Sequence, residues 1–109
     1  MEASQKKVEI YLTVDGKSPF SEWLDGLRDI KARAKIRVRI DRVSLGNFGD
    51  CRPVGHGVME LKIDFGPGYR VYFGQVGEKI ILLLCGGDKT TQRQDITKAK
   101  EYLNDYRKR

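Results

Sequence analysis

The sequence predicts a small α+β domain ordered strand, helix, helix, three antiparallel strands, helix, with a helical hairpin on one face of an antiparallel sheet. Three observations carry this. Apolar and polar residues alternate over 8–14, 59–65 and 69–76. Apolar stripes at helical spacing occupy 20–27, 32–43 and 96–106, and glycine, proline and aspartate cluster between these segments. With 109 residues, 39% of them hydrophobic, the chain carries enough apolar surface for one core but not two. Residues 1–109 are therefore expected to form one domain.

Val8, Ile10, Leu12 and Val14 alternate with Glu9, Tyr11 and Thr13, the pattern of a strand with one buried face, and Asp15-Gly16 ends it. Ser18 is placed to cap a short helix that starts at Pro19 and presents Phe20, Trp23, Leu24 and Leu27 on one side. A second helix starts near Asp29, with Ala32, Ile36, Ile40 and Val43 as its apolar stripe. Beside that stripe Lys31, Lys35, Arg39 and Arg42 recur at steps of four, four and three, so they share a cationic face. Such a face is either simply solvated or a surface that tracks phosphates.

Gly46 to Gly57 reads as a turn-rich connection leading to a strand with Met59, Leu61, Ile63 and Phe65 on one side. Gly66-Pro67-Gly68 reverses the chain into a second strand, with Val71 and Phe73 inward. A three-residue loop at 66–68 would set Phe65 opposite Tyr69, Asp64 opposite Arg70, Lys62 opposite Tyr72 and Glu60 opposite Gly74. The unbroken apolar run in Lys79 to Cys85 predicts a strand buried on both faces, near the centre of the sheet and ended by Gly86-Gly87. Thr91 and Gln94 have the spacing of a capping box at the head of a last helix carrying Ile96, Ala99, Leu103 and Tyr106.

The balance of 21 Lys and Arg against 15 Asp and Glu, a formal +6, suits a phosphate backbone or an acidic protein partner. The longest apolar run falls far short of a bilayer span and Met1 to Lys7 hold no apolar signal core, so no membrane association is expected and the cytoplasm is the expected compartment. Cys51 and Cys85 form no close-spaced pair and are expected to stay reduced, and the single His56 leaves too few soft ligands for a transition metal. No cofactor or metal is expected.

Chemistry concentrates on the polar side of the predicted hairpin, where Glu60, Lys62, Asp64, Arg70 and Tyr72 share one face and Lys89 arrives at the end of the next strand. An arginine fork can bind two phosphate oxygens and stabilise the charge that builds up on pentacoordinate phosphorus. A base near an RNA 2′-hydroxyl can activate it as an internal nucleophile. Tyr72 on such a face could stack on a base. The other reading of these residues is a solvated sheet with an Asp64–Arg70 cross-strand pair worth at most about 1 kcal/mol.

The segments Arg52-Pro53-Val54-Gly55-His56-Gly57, Glu60-Leu61-Lys62-Ile63-Asp64, Gly66-Pro67-Gly68-Tyr69-Arg70-Val71-Tyr72-Phe73 and Gly86-Gly87-Asp88-Lys89-Thr90-Thr91-Gln92 closely resemble the addiction-module killer proteins, HigB-like toxins of the RelE/ParE superfamily. The resemblance runs from the first strand to the last helix and implies a RelE-like domain. It further implies a type II toxin neutralised by a helix-turn-helix antitoxin, with operator DNA reached only through that complex. RelE-like members are metal-independent endoribonucleases that cut mRNA on the ribosome. Carried over, the resemblance makes Arg70 the strand arginine after the hairpin turn, Glu60 and Lys62 charged strand positions, and Lys89 the polar position after the last strand. In this reading Arg70 stabilises the transition state, Glu60 or Lys62 handles the nucleophile's proton, Lys89 binds phosphate, and Lys31, Lys35, Arg39 and Arg42 dock on RNA. Several RelE-like ribonucleases place a histidine or tyrosine near the carboxyl end as general acid, whereas here the region after the last strand offers Asp88, Lys89, Thr90, Thr91 and Gln92, then Tyr102 and Tyr106 on the helix, which leaves the acid unassigned. The alternative is a ParE-like poison of DNA gyrase without ribonuclease activity.

Overall fold

The computed structural model describes residues 5–109, so the first part of the amino-terminal reading, 1–4, lies outside the described residues. The elements are β1 (Lys7–Ile10), α1 (Pro19–Gly26), α2 (Ile30–Ser44), β2 (Cys51–Gly55), β3 (Val58–Ile63), β4 (Tyr69–Val76), β5 (Ile80–Gly87), a single 3-10 turn (Lys89–Thr91) and α3 (Gln92–Arg107). They build a mixed α+β fold around a five-stranded sheet of order β1-β5-β4-β3-β2, antiparallel except where β1 runs parallel to β5. Among the described residues, no helix is long and apolar enough to cross a membrane.

The two leading helices start where their caps dictate. Ser18 accepts from the Ser21 amide with Pro19 in the first helical position, and Asp29 accepts from the amides of Lys31 and Ala32. The expected stripe of α2, Ala32, Ile36, Ile40 and Val43, is buried against Leu61, Ile63, Val71 and Phe73 of the sheet. Each fully buried branched side chain contributes about 1.5–3 kcal/mol, so this layer anchors the fold. On the opposite face α3 covers Val58, Tyr72, Leu82 and Leu84 with Ala99 and Leu103. The sheet is therefore covered on both faces, and the side expected to be polar and open lies largely under α3.

Several details differ from the sequence expectation for identifiable reasons. The stretch expected to be a connection contains β2, an edge strand disguised by Pro53 and flanking glycines; Arg52 pairs with Glu60 and Pro53 with Met59, and the register shifts between Pro53 and Gly55. The β3–β4 loop is longer than three residues, so Ile63 faces Tyr69, Lys62 faces Arg70 and Glu60 faces Tyr72. That slip is two residues, which keeps every side chain on its expected face but replaces the expected partners, and the Asp64–Arg70 pair does not form. In β1, Val8 points inward as expected, but the strand ends at Ile10. Ile10, Leu12 and Val14 are 43%, 48% and 84% exposed, because β1 is an edge and the chain beyond it leaves the sheet. Tyr11 is buried instead, stacked on Tyr102, with its hydroxyl donating to Asp105 at 2.6 Å. The Thr91–Gln94 capping box is absent as well: Asp88 caps the 3-10 turn by accepting from Thr90, and the Thr91 hydroxyl donates to Asp95.

β5 is buried on both faces, next to the central β4, and explains why its sequence lacks alternation. A register shift between Tyr72 and Phe73 sets Tyr72 opposite Cys85 and Phe73 opposite Leu83, so Leu84 is the extra residue and joins Cys85 on the α3 side. Gly86 and Gly87 do not end this strand; they complete it. A Cβ on Gly86 would enter the Trp23 ring, and one on Gly87 would enter the Asp95 carboxylate. Gly86→Ala is expected to lower stability by about 1–3 kcal/mol through this overpacking, read as a lower urea midpoint at unchanged slope.

Candidate functional site

The pairing of β2, β3 and β4 brings Arg52, Glu60 and Tyr72 side by side across three strands. Glu60 is 3% exposed, and its carboxylate is taken up by the neighbours. Arg52 Nε donates to Oε1 at 2.9 Å, while Tyr72 Oη and Gln92 Nε2 donate to Oε2 at 2.9 and 2.8 Å. Burial pushes the Glu60 carboxyl upward, but the hydrogen bonds from Gln92, Arg52 and Tyr72 together outweigh it and hold the group below the ordinary glutamate range. A carboxylate so engaged is a poor proton acceptor and a strong anchor.

Arg70 is the other buried charge, 7% exposed. Its Nη1 donates to the Gly68 carbonyl at 2.7 Å, which folds the guanidinium back over the loop. Its Nε stands 3.8 Å from Glu60 Oε2, too far for a hydrogen bond, and is buried without a partner. An unpaired buried donor of a guanidinium is costly unless an acceptor completes it. Beside it opens a cleft of about 240 Å³ lined by Asp50, Arg52, Glu60, Lys62, Arg70 and Gln92. With Arg52 paired to Glu60, Lys62 and Arg70 stand against the single carboxylate Asp50, a net positive lining that suits an anion.

Of the residues expected to act, the structure brings Arg70, Glu60 and Lys62 into this cleft. Lys89 stands exposed on the turn after Gly87, the residue paired with Arg70, and is not among the side chains lining the cleft. Tyr72 corrects an expectation: it is completely buried with its hydroxyl held by Glu60, so it has no face to offer a base. Burial and that hydrogen bond push its ionisation well above the ordinary range. The cationic stripe of α2 also lies apart from the cleft, since α2 packs on the opposite sheet face. There Lys35, Arg39 and Arg42 line a separate groove of about 360 Å³ with Val38, Asp64 and Phe65. Lys35 sits over the Phe65 ring, Arg39 donates to the Phe48 carbonyl, and Lys31 is exposed.

Residues 22–104 match the family model described as Phage derived protein Gp49-like (DUF891), a span that runs from α1 into α3 and includes the whole cleft. The chain belongs to this Gp49-like family. It is also 51% identical over 81 residues to an uncharacterized protein of Haemophilus influenzae (strain ATCC 51907 / DSM 11121 / KW20 / Rd), covering 74% of this chain and 82% of that one.

Sequence reasoning missed three cleft residues of this Gp49-like protein: Asp50, Arg52 and Gln92. Arg52 and Gln92 both stand in the segments that carry the family resemblance, but only the unrecognised β2 puts Arg52 across from Glu60, and only the 3-10 turn aims Gln92 at it. Both thiols are free. Burial pushes Cys85 up to about 12 and raises Cys51 as well, which argues against either as a nucleophile. Among the described residues no group of three His, Cys, Asp or Glu side chains is placed to hold a metal ion.

The Glu60 cluster generates a stability prediction. The folded carboxyl titrates below the unfolded value of about 4.3, so its contribution is present above that pH and is lost as pH falls through the lowered folded value. Glu60→Gln is expected to cost about 3 kcal/mol at neutral pH, because it leaves Arg70 buried without its counter-charge. Urea denaturation at several pH values should also show a smaller acid-induced loss in the variant than in the wild type.

Proposed function

We propose that the chain is the toxin of a toxin–antitoxin pair and a metal-independent endoribonuclease that cuts mRNA on the ribosome. The observation that carries this reading is the buried, unpaired Arg70 donor beside an open cationic cleft on the strand hairpin, in a member of a toxin–antitoxin toxin family. The resemblance to HigB-like toxins supports the finer assignment.

In this reading a phosphodiester enters the cleft. The ribose 2′-oxygen attacks the adjacent phosphorus and loses its proton, the bond to the 5′-oxygen breaks, that oxygen takes a proton from solvent water, and a 2′,3′-cyclic phosphate and a 5′-hydroxyl result. Arg70, with Arg52 beside it, stabilises the charge on the pentacoordinate phosphorus. Glu60 acts by holding Arg52 and Gln92 in place, which leaves Lys62, the exposed amine of the cleft, as the side chain that handles the 2′ proton. Lys89 holds a flanking phosphate from the rim. Lys31, Lys35, Arg39 and Arg42, on the far face, meet ribosomal RNA rather than the message being cut. A small helix-turn-helix antitoxin is the proposed partner, and co-purification of a co-encoded acidic protein with the tagged chain is the expected result in its native host.

A second reading, poisoning of DNA gyrase, draws on one observation: Tyr102 and Tyr106 are half-buried in the packing of α3, so neither stands in the cleft as general acid. A purified translation reaction separates the two. Primer extension should reveal new mRNA ends that require ribosomes and fall on the order of a hundredfold or more with Arg70→Ala, the loss expected for one transition-state contact. Intact mRNA from folded wild-type protein, together with inhibition of gyrase supercoiling, would replace the ribonuclease reading with the second one.

A further inference from the structure

A second cleft, of about 420 Å³, lies at the other end of β2, lined by His56, Lys100, Glu101, Asn104 and Arg107. Lys100, Asn104 and Arg107 follow one another at steps of four and three along one flank of α3. One hydrogen bond ties that flank to the β2–β3 turn, Arg107 Nη1 donating to the His56 carbonyl at 3.2 Å, and Lys100 Nζ lies close enough over Gly55 that a Cβ there would be 3.3 Å from it. Gly55, His56 and Gly57 all have positive φ, so the turn presents backbone rather than bulky side chains to this flank. Among the described residues neither Lys100 nor Arg107 pairs with a carboxylate, which leaves two cations against the single Glu101.

Both clefts lie along the border between β2 and α3, although they share no lining residue. Arg52 at the head of β2 and Gln92 at the head of α3 line the anion cleft, while Gly55–His56 and Lys100–Arg107 on the same two elements border the second. Eight helical residues separate Gln92 from Lys100, about 12 Å. That distance accommodates about three to four phosphates at the axial spacing of a stacked strand. Between the two clefts the edge offers exposed Pro53 and half-buried Val54, which carry no charge. Pro53 also withdraws a backbone donor, so β2 is a poor template for another strand and its edge is left to a different kind of ligand.

We infer that the groove between β2 and α3 binds single-stranded RNA, with Lys100 and Arg107 holding a phosphate about three to four nucleotides from the one in the Arg70 cleft. The inference deepens the ribonuclease reading by giving the substrate a path, and rests on it only for which phosphate is cut. It also separates two cationic surfaces: this groove takes the strand being cut, and α2 faces elsewhere.

The test is fluorescence anisotropy of the full chain with labelled single-stranded RNA of about eight nucleotides and of half that length, titrated across salt concentrations. The wild type should bind the longer strand more tightly. Lys100→Ala with Arg107→Ala should abolish that gain and reduce the salt slope by about 0.7, the value for one lost phosphate contact. Asn104→Asp, an exposed change that removes no packing, should weaken the longer strand in the same direction. A control that removes two exposed cations elsewhere, Lys17→Ala with Lys79→Ala, should leave the length dependence intact. Equal loss in control and groove variants, no change in the groove variants, or no binding of the longer strand by wild type each overturns the inference. Because the readout is binding, a length-dependent loss seen in a protein that cuts no mRNA supports the groove while removing the ribonuclease reading. Wild-type cutting with unaltered binding in the groove variants does the reverse.

Discussion

One buried carboxylate holds the working end of this molecule together. Glu60 sits on the middle strand of three and takes hydrogen bonds from the strand on each side and from the head of the last helix. Removing a carboxylate from water carries a cost of several kcal/mol, which is recovered only when its lone pairs are filled. Here they are filled by Arg52, Tyr72 and Gln92, so the same requirement that keeps Glu60 charged fixes β2, β4 and α3 against β3. The anion cleft is a by-product of that arrangement: two of its walls, Arg52 and Gln92, are partners of Glu60, and Arg70 lies just outside the closed network with a donor left over.

That arrangement also redistributes chemical roles. A sequence that places Glu60 and Lys62 on one face offers both as proton acceptors, because spacing reports the face and not the environment. Burial and three donors turn Glu60 into a positioning group, whereas Lys62, two residues along and exposed, keeps its freedom. Tyr72 is altered in the same way: its ring is core and its hydroxyl is a strut.

The fold was legible wherever a strong period or cap wrote it. Ser18 and Asp29 start their helices, the α2 stripe is buried residue for residue, and β5 is the doubly covered strand its composition implies. The hairpin face survived a wrong register because the slip was two residues, and a strand alternates with a period of two. What the sequence could not disclose were features set by distant packing. β2 is too short and too rich in proline and glycine to carry a period of its own, and it exists because β3 offers it a partner. The polar face looked open because the apolar stripe of α3 has no address in the sequence. Gly86 and Gly87, read as punctuation, are space left for Trp23 and Asp95. Arg70, Glu60 and Lys62 were found because strand alternation suffices to gather them, and Arg52 and Gln92 were missed because tertiary pairing is needed.

The contact between Tyr11 and Asp105 spans 94 residues of chain. With the Tyr11–Tyr102 stack it fastens the segment after β1 to the end of α3. During synthesis the strands emerge before the helix that covers them, so Leu82, Leu84 and Tyr72 wait uncovered and Glu60 lacks Gln92 until α3 arrives. Such long-range closure slows folding because loop entropy is lost before the contact forms. The anion cleft is therefore complete only once α3 has docked and brought Gln92 to Glu60.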